Sequence, residues 1–317
     1  MGYQAPFPAA LEQVEYVKLY FHLEINSDFD LPVLGLLQLR RELLQALKSF
    51  PEQGEINFVS QLKQLLQPDL PDNPLLLQQI QKPAPALILS PDISQYGLIE
   101  AKQKIILPVL FIGSGINAVD AFVALLQHLG TQGLYHGSGQ FILEGVEAED
   151  GSGARSMLWF AGKQTRPLTP PVSNLSWWLE RQSVSFDSIQ LEIISPLRLL
   201  RQGKPLFKAE LVDIFPHLLR RITALLAGYA GVGLIDAPAV LISLASRVQS
   251  LENKLLWKDW RTLNMRYRKQ NLGGLMGHLR VSGDELGALI WILQLGSLFN
   301  FGKGAAYGAG QYWLDYS

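Results

Sequence analysis

The stretch Asn300-Phe-Gly302-Lys303-Gly304-Ala-Ala-Tyr307-Gly308-Ala-Gly310-Gln311, running into the strand-like Tyr312-Trp313-Leu314, sets the reading of this chain. It ends a segment, Gly283 to Leu314, that reads as turn, helix, glycine-rich turn and strand. An earlier segment, Gly113 to Glu144, has the same order: a turn, an amphipathic helix from Val119 to Leu129, the glycine-rich Tyr135-His136-Gly137-Ser138-Gly139-Gln140 and a strand from Phe141 to Leu143. The two endings match almost residue for residue, which points to an internal duplication.

Each half of the chain then reads as strand, helix, two strands, helix, strand. In the first half the expected strands are Glu15 to Ile25, Ala86 to Leu89, Gln103 to Phe111 and Gln140 to Val146, with helices Leu34 to Phe50 and Asn117 to Leu129. In the second half they are Ser188 to Ile194, Leu275 to Val281 and Gln311 to Asp315, with helices Phe207 to Ala227 and Glu285 to Phe299. Ala237 to Trp257 is read as a further helix outside the minimal unit. The expected fold class is α+β, a split βαβ ferredoxin-like fold used twice. Proline-rich punctuation at Pro68 to Pro74, Pro83 to Pro85 and Pro167 to Pro171 supports a division near Pro170 to Gln182, giving domains 1–175 and 176–317. Glu52 to Gln81 reads as a helical insertion into the first.

Four glycines among small residues, with one lysine, make a loop whose backbone can approach a polyanion closely. Taken alone, Gly308 and Gly310 equally suit a turn and a bulge before the last strand. A nucleotide-binding phosphate loop is disfavoured, because these glycines follow a helix and precede a strand, the reverse of the order such loops require.

Several ordered motifs carry a family resemblance: Ser195-Pro-Leu-Arg198-Leu-Leu-Arg201-Gln-Gly203-Lys204, Arg220-Arg221-Ile with Gly228-Tyr229, Trp257-Lys-Asp-Trp260, Leu272-Gly-Gly-Leu-Met-Gly277, Leu295-Gly296 and the terminal glycine loop. Together they resemble the C-terminal half of the CRISPR-associated endoribonuclease that cuts precursor CRISPR RNA at each repeat, the "Cas six" family of the RAMP superfamily. The resemblance runs from about Ile189 to the C-terminus and more faintly back to Phe111. It implies tandem ferredoxin-like domains forming a cleft, a glycine loop that contacts RNA, and metal-independent cleavage in which a 2′-hydroxyl attacks the neighbouring phosphate. The implied partners are CRISPR repeat RNA, its crRNA product and other CRISPR effector subunits, with no cofactor.

Composition is compatible with that reading. The chain has 317 residues, 48% hydrophobic and 17% charged, without cysteine. No apolar run approaches the ~20 residues that span a bilayer, and Met1-Gly-Tyr-Gln-Ala-Pro lacks the features of a secretory signal. A cytoplasmic protein without a membrane partner is expected. The net charge of −1 hides an asymmetry: Pro196 to Asn271 holds thirteen Lys and Arg against five acidic residues. Such a concentrated positive field attracts phosphates in a salt-dependent way. Arg266-Tyr267-Arg268-Lys269, cations with an interleaved aromatic, is the expected RNA-contacting cluster. The full expected RNA-binding set is Arg198, Arg201, Arg266, Arg268, Lys269, Gly302, Lys303, Gly304, Gly308 and Gly310.

The chemistry wants a general base and a cation to stabilise the crowded phosphorane. No two of the five histidines are spaced like a metal motif. His128, at a helix end, and His217, inside helical sequence, have structural explanations, and His22 alternates with Phe21 and Leu23 in the first strand. His136, in the first glycine-rich turn, and His278, after the Gly-Gly-Leu-Met-Gly motif, are the candidate catalytic residues. The chain also departs from the family pattern. Asn300 stands where many relatives have His before the loop, Leu263-Asn-Met-Arg266-Tyr-Arg268 replaces a Tyr-Ser-x-Arg-Gln-like run, and Leu34 to Phe50 holds Arg40 and Arg41 but no His. Asn cannot act as a base, so a catalytically inactive repeat-RNA-binding subunit is the alternative.

Overall fold

The computed structural model describes residues 7–51, 57–70, 83–162, 167–233, 237–260 and 272–317. They divide into two compact units: Glu12–Trp177 with Ala224–Val232, and Trp178–Thr223 with Gly233–Ser317 and the described residues up to Leu11. Among the described residues no helix is long and apolar enough to cross a membrane.

The strands of the N-terminal unit are β1 (Glu15–Ile25), β2 (Phe29–Leu31), β3 (Leu87–Leu89), β4 (Gly97–Ile99), β5 (Lys104–Ile112), β6 (Phe141–Glu149), β7 (Arg155–Phe160) and β8 (Ser173–Asn174). Its main sheet has the order β3-β5-β1-β6-β7, with β8 also on β1 and every pairing antiparallel. Reduced to β1, β3, β5 and β6, with helices Leu39–Lys48 and Val119–Gln132 as the crossovers, this is the ferredoxin-like order. Alternation along β1 places Val17, Leu19, Phe21 and Leu23 in the core. Phe122, on the second helix, meets Phe21 edge-on at 5.5 Å and Phe111 at 5.4 Å. β7 extends the expected four strands as an extra edge.

The C-terminal unit repeats the scheme with β9 (Ser188–Leu197), a hairpin of β10 (Leu200–Arg201) and β11 (Lys204–Pro205), then β12 (Gln249–Asn253), β13 (Leu256–Trp260), β14 (Leu272–Ser282) and β15 (Tyr312–Tyr316). The sheet order is β12-β14-β9-β15, with β13 also on β14, and the helices are Leu211–Tyr229, whose residues from Ala224 onward belong to the N-terminal unit, Pro238–Ala245 and Leu286–Phe299. Leu286–Phe299 carries no Asp, Glu, Lys or Arg and is buried on nearly all sides, as an apolar helix without a polar face must be. Two tandem ferredoxin-like units are therefore present, as the duplication implies.

One expectation is corrected. Of Ala237 to Trp257, read as a further helix, only Pro238–Ala245 is helical, and Gln249–Asn253 and Leu256–Trp260 supply the second strand of the unit. That strand is hard to read in sequence because β12 is an edge whose residues are mostly exposed, which removes the apolar alternation. The break between β12 and β13 has a local cause: Gly277 has φ +111°, and a Cβ there would stand 2.3 Å from the Lys254 carbonyl oxygen. The other glycines of that motif serve packing too, for a Cβ on Gly273 would meet the Trp257 indole at 2.8 Å and one on Gly274 the Leu197 nitrogen at 2.7 Å.

Candidate nucleic-acid interface

The terminal glycine loop is built onto the end of β9. Ser195, fully buried, donates its hydroxyl to Gly308 O at 2.7 Å and accepts from the Gln311 N–H at 2.7 Å. The Gln311 carboxamide donates to Gly308 O at 3.0 Å. Gly310 N–H donates to Pro196 O at 3.2 Å, and Lys303 N–H to Arg198 O at 2.9 Å. Gly302, Gly304, Gly308 and Gly310 all have positive φ, between 67° and 94°. At Gly310 a Cβ would lie 1.9 Å from Phe301 O. Packing as well as turn geometry therefore demands glycine there.

This construction divides the four glycines by role. Gly308 and Gly310 are buried, and their N–H groups are engaged by Ala305 O at 3.3 Å and Pro196 O. Gly302 is half-buried, Lys303 and Gly304 are exposed, and among the described residues the N–H groups of Gly302 and Gly304 have no acceptor. The loop thus presents a short rim, Gly302-Lys303-Gly304, on a buried base. Asn300, 1% exposed, belongs to that base and donates to Ala305 O at 3.3 Å.

The residues following β9 carry positive charge. The two-residue turn Gln202-Gly203, with φ of 51° and 78°, closes the β10–β11 hairpin in the twist such hairpins favour. It holds Arg201 and Lys204 exposed, and Arg201 is ion-paired with Asp213. Arg198 is half-buried. Phe207, 58% exposed, packs edge-on against Trp257 at 4.7 Å. His217 lies in the same unit, its Nδ1 2.8 Å from an Arg220 guanidinium nitrogen. Burial, then the charges of Arg220 and Arg201, hold its pKa below the ordinary value. The sequence explains His217 as a helical residue, and only the fold brings the charge of Arg201 to it.

Of the remaining candidates, His278 lies within the C-terminal unit but away from the loop. His278 lies on β14 opposite Glu192, with Nε2 3.1 Å from Glu252 and Nδ1 3.7 Å from Glu192. Glu192 lies five residues before Leu197, the last residue of β9 and the one against which Gly302 packs, about 17 Å of strand. His136 lies in the short helix Leu134–Gly137 of the N-terminal unit. Arg266, Arg268 and Lys269 lie outside the described residues. His22 faces Glu147 at 3.3 Å, and His128 meets Ser49 at 3.2 Å and Gln132 at 2.9 Å.

Residues 191–312 match the family model described as CRISPR-associated endoribonuclease Cas6. No curated protein matches the chain. Among solved structures, a partial Cas6-RT-Cas1–Cas2 complex is similar with a TM-score of 0.61 at 14% identity over 96% of this chain, which spans only 46% of that one. A Cas6 of Thermus thermophilus gives 0.53 at 13% identity, and a Cas6 product complex 0.51 at 16%, each over 95% of this chain and 99% of the other. At these identities the likeness is one of fold. The ordered motifs and the family model coincide, so that residues 191–312, set on the second of two tandem ferredoxin-like units, carry the pattern of the CRISPR-associated endoribonuclease Cas6 family.

Proposed function

We propose that this protein binds the repeat of a CRISPR precursor RNA and cleaves it without a metal ion. The observation that carries the reading is the exposed rim Gly302-Lys303-Gly304, seated on a buried hydrogen-bonded base within the residues that match the family. Two N–H groups without acceptors among the described residues, flanking an ammonium, suit a phosphate whose negative charge grows during reaction. In the proposed step the bond from O2′ to phosphorus forms as the bond to O5′ breaks. A base removes the 2′ proton, a proton returns to O5′, and the products end in a cyclic phosphate and a 5′-hydroxyl. His136 and His278 are the proposed bases. Arg198, Arg201, Arg266, Arg268 and Lys269 are proposed to hold the RNA backbone. Other CRISPR proteins are proposed partners, in line with the similar Cas6 of the Cas6-RT-Cas1–Cas2 complex, and the cytoplasm is the proposed location.

A second reading, an RNA-holding subunit that does not cut, is favoured by Asn300, which is buried, bonded within the loop and chemically unable to act as a base. Incubating the protein with end-labelled repeat RNA in EDTA separates the two. A product ending in a cyclic phosphate supports the enzyme, and tight binding without a cut supports the subunit. Unchanged cleavage by His136→Ala and His278→Ala eliminates both proposed bases.

A further inference from the structure

The N-terminal unit contains a half-open pocket of about 140 Å³ between helix Phe58–Leu66, the turn Gly113–Ala118 and Tyr229. Its walls are fixed by close backbone approaches. Gly113 has φ +51°, and a Cβ there would fall 2.1 Å from Tyr229 O; one on Gly115 would fall 2.4 Å from Ala86 O. The Tyr229 hydroxyl donates to Ala84 O, which locks the ring at the pocket's side. The Gly113-Ser-Gly115 turn therefore joins three segments into a preformed site.

The lining has a definite chemistry. Gln61, Gln64 and Asn117 contribute carboxamides and Ser114 a hydroxyl, over the apolar Leu65 and Ala118. Among the described residues none of those four polar side chains has a hydrogen-bond partner. Among the described residues no charged side chain lines the pocket, which disfavours a phosphate or a metal ion. A carboxamide offers a donor and an acceptor side by side, the arrangement that pairs with the edge of a nucleobase. The volume lies below the ~300 Å³ at which pockets for drug-sized ligands begin, and it suits one ring system.

We propose that this pocket receives a single unpaired base of the bound RNA, read on its edge by Gln61 and Asn117 with an apolar floor beneath its face. The proposal rests on the RNA-binding reading given above and adds a specificity site to it. The test is an abasic scan: repeat RNAs with one base removed at each position in turn, with affinities measured by anisotropy for wild type, Gln61→Leu and Asn117→Leu. In wild type, one unpaired position is expected to lose about tenfold in affinity when abasic. Each variant should lose a similar factor on intact RNA and nothing further at that position, with thermal unfolding unchanged. Wild-type binding with identical abasic profiles in all three proteins would overturn the pocket and leave the RNA-binding reading intact. Failure of wild type to bind any of the RNAs would overturn both.

Discussion

Replacing Ser195 with Ala tests whether the glycine loop is held as described. The hydroxyl accepts from Gln311 N–H and donates to Gly308 O, each at 2.7 Å, in a fully buried position. Alanine removes both bonds and leaves Gly308 O with the Gln311 carboxamide at 3.0 Å. A buried hydrogen bond contributes about 0.5–1.5 kcal/mol net, so losing two costs about 1–3 kcal/mol. Urea unfolding followed by tryptophan fluorescence suits the measurement, since Trp178, Trp257, Trp260, Trp291 and Trp313 all fall within the C-terminal unit's residues. The unfolding free energy should fall by that amount at constant slope against urea. A change within about 0.5 kcal/mol, the range of an ordinary surface substitution, would refute the anchoring of the loop through Ser195.

Other outcomes follow from the same geometry. Gly310→Ala should destabilise by more than the roughly 1–2 kcal/mol of a left-handed alanine, because the new Cβ also meets Phe301 O at 1.9 Å; an unchanged melting temperature would contradict the packing. The pKa of His217 is lowered in the fold, so the unfolded chain binds more protons and stability falls as pH drops below the ordinary value of 6.5. His217→Gln should flatten unfolding free energy against pH over that acidic window, and an unaltered slope would show that another group is responsible. Arg201→Ala should weaken repeat-RNA binding less than Lys303→Ala, because Asp213 already offsets the Arg201 charge; filter binding of both variants ranks them.

The duplicated fold is legible in the sequence because its central strands and both crossover helices announce themselves locally. β1 and β9 alternate apolar and polar residues, and Leu286–Phe299 is an apolar run broken by few polar residues. The edge strands β7 and β12 are not, since their partners in the sheet, rather than their own patterns, make them strands. The loop is legible as a glycine cluster, but the division of its glycines into a buried base and an exposed rim is not. That division depends on Ser195 and Pro196, more than a hundred residues earlier in the chain. The sequence places His278 between a glycine motif and Arg280, whereas the register of β14 with β9 and β12 sets it between Glu192 and Glu252.

Whether the rim meets a phosphate is answered by the salt dependence of repeat-RNA binding in wild type and Lys303→Ala. Loss of one phosphate contact should reduce the slope of log affinity against log salt by about 0.7–0.9, with the variant's stability unchanged. A slope identical to wild type would contradict the rim as an RNA contact, because Lys303 would then meet no phosphate.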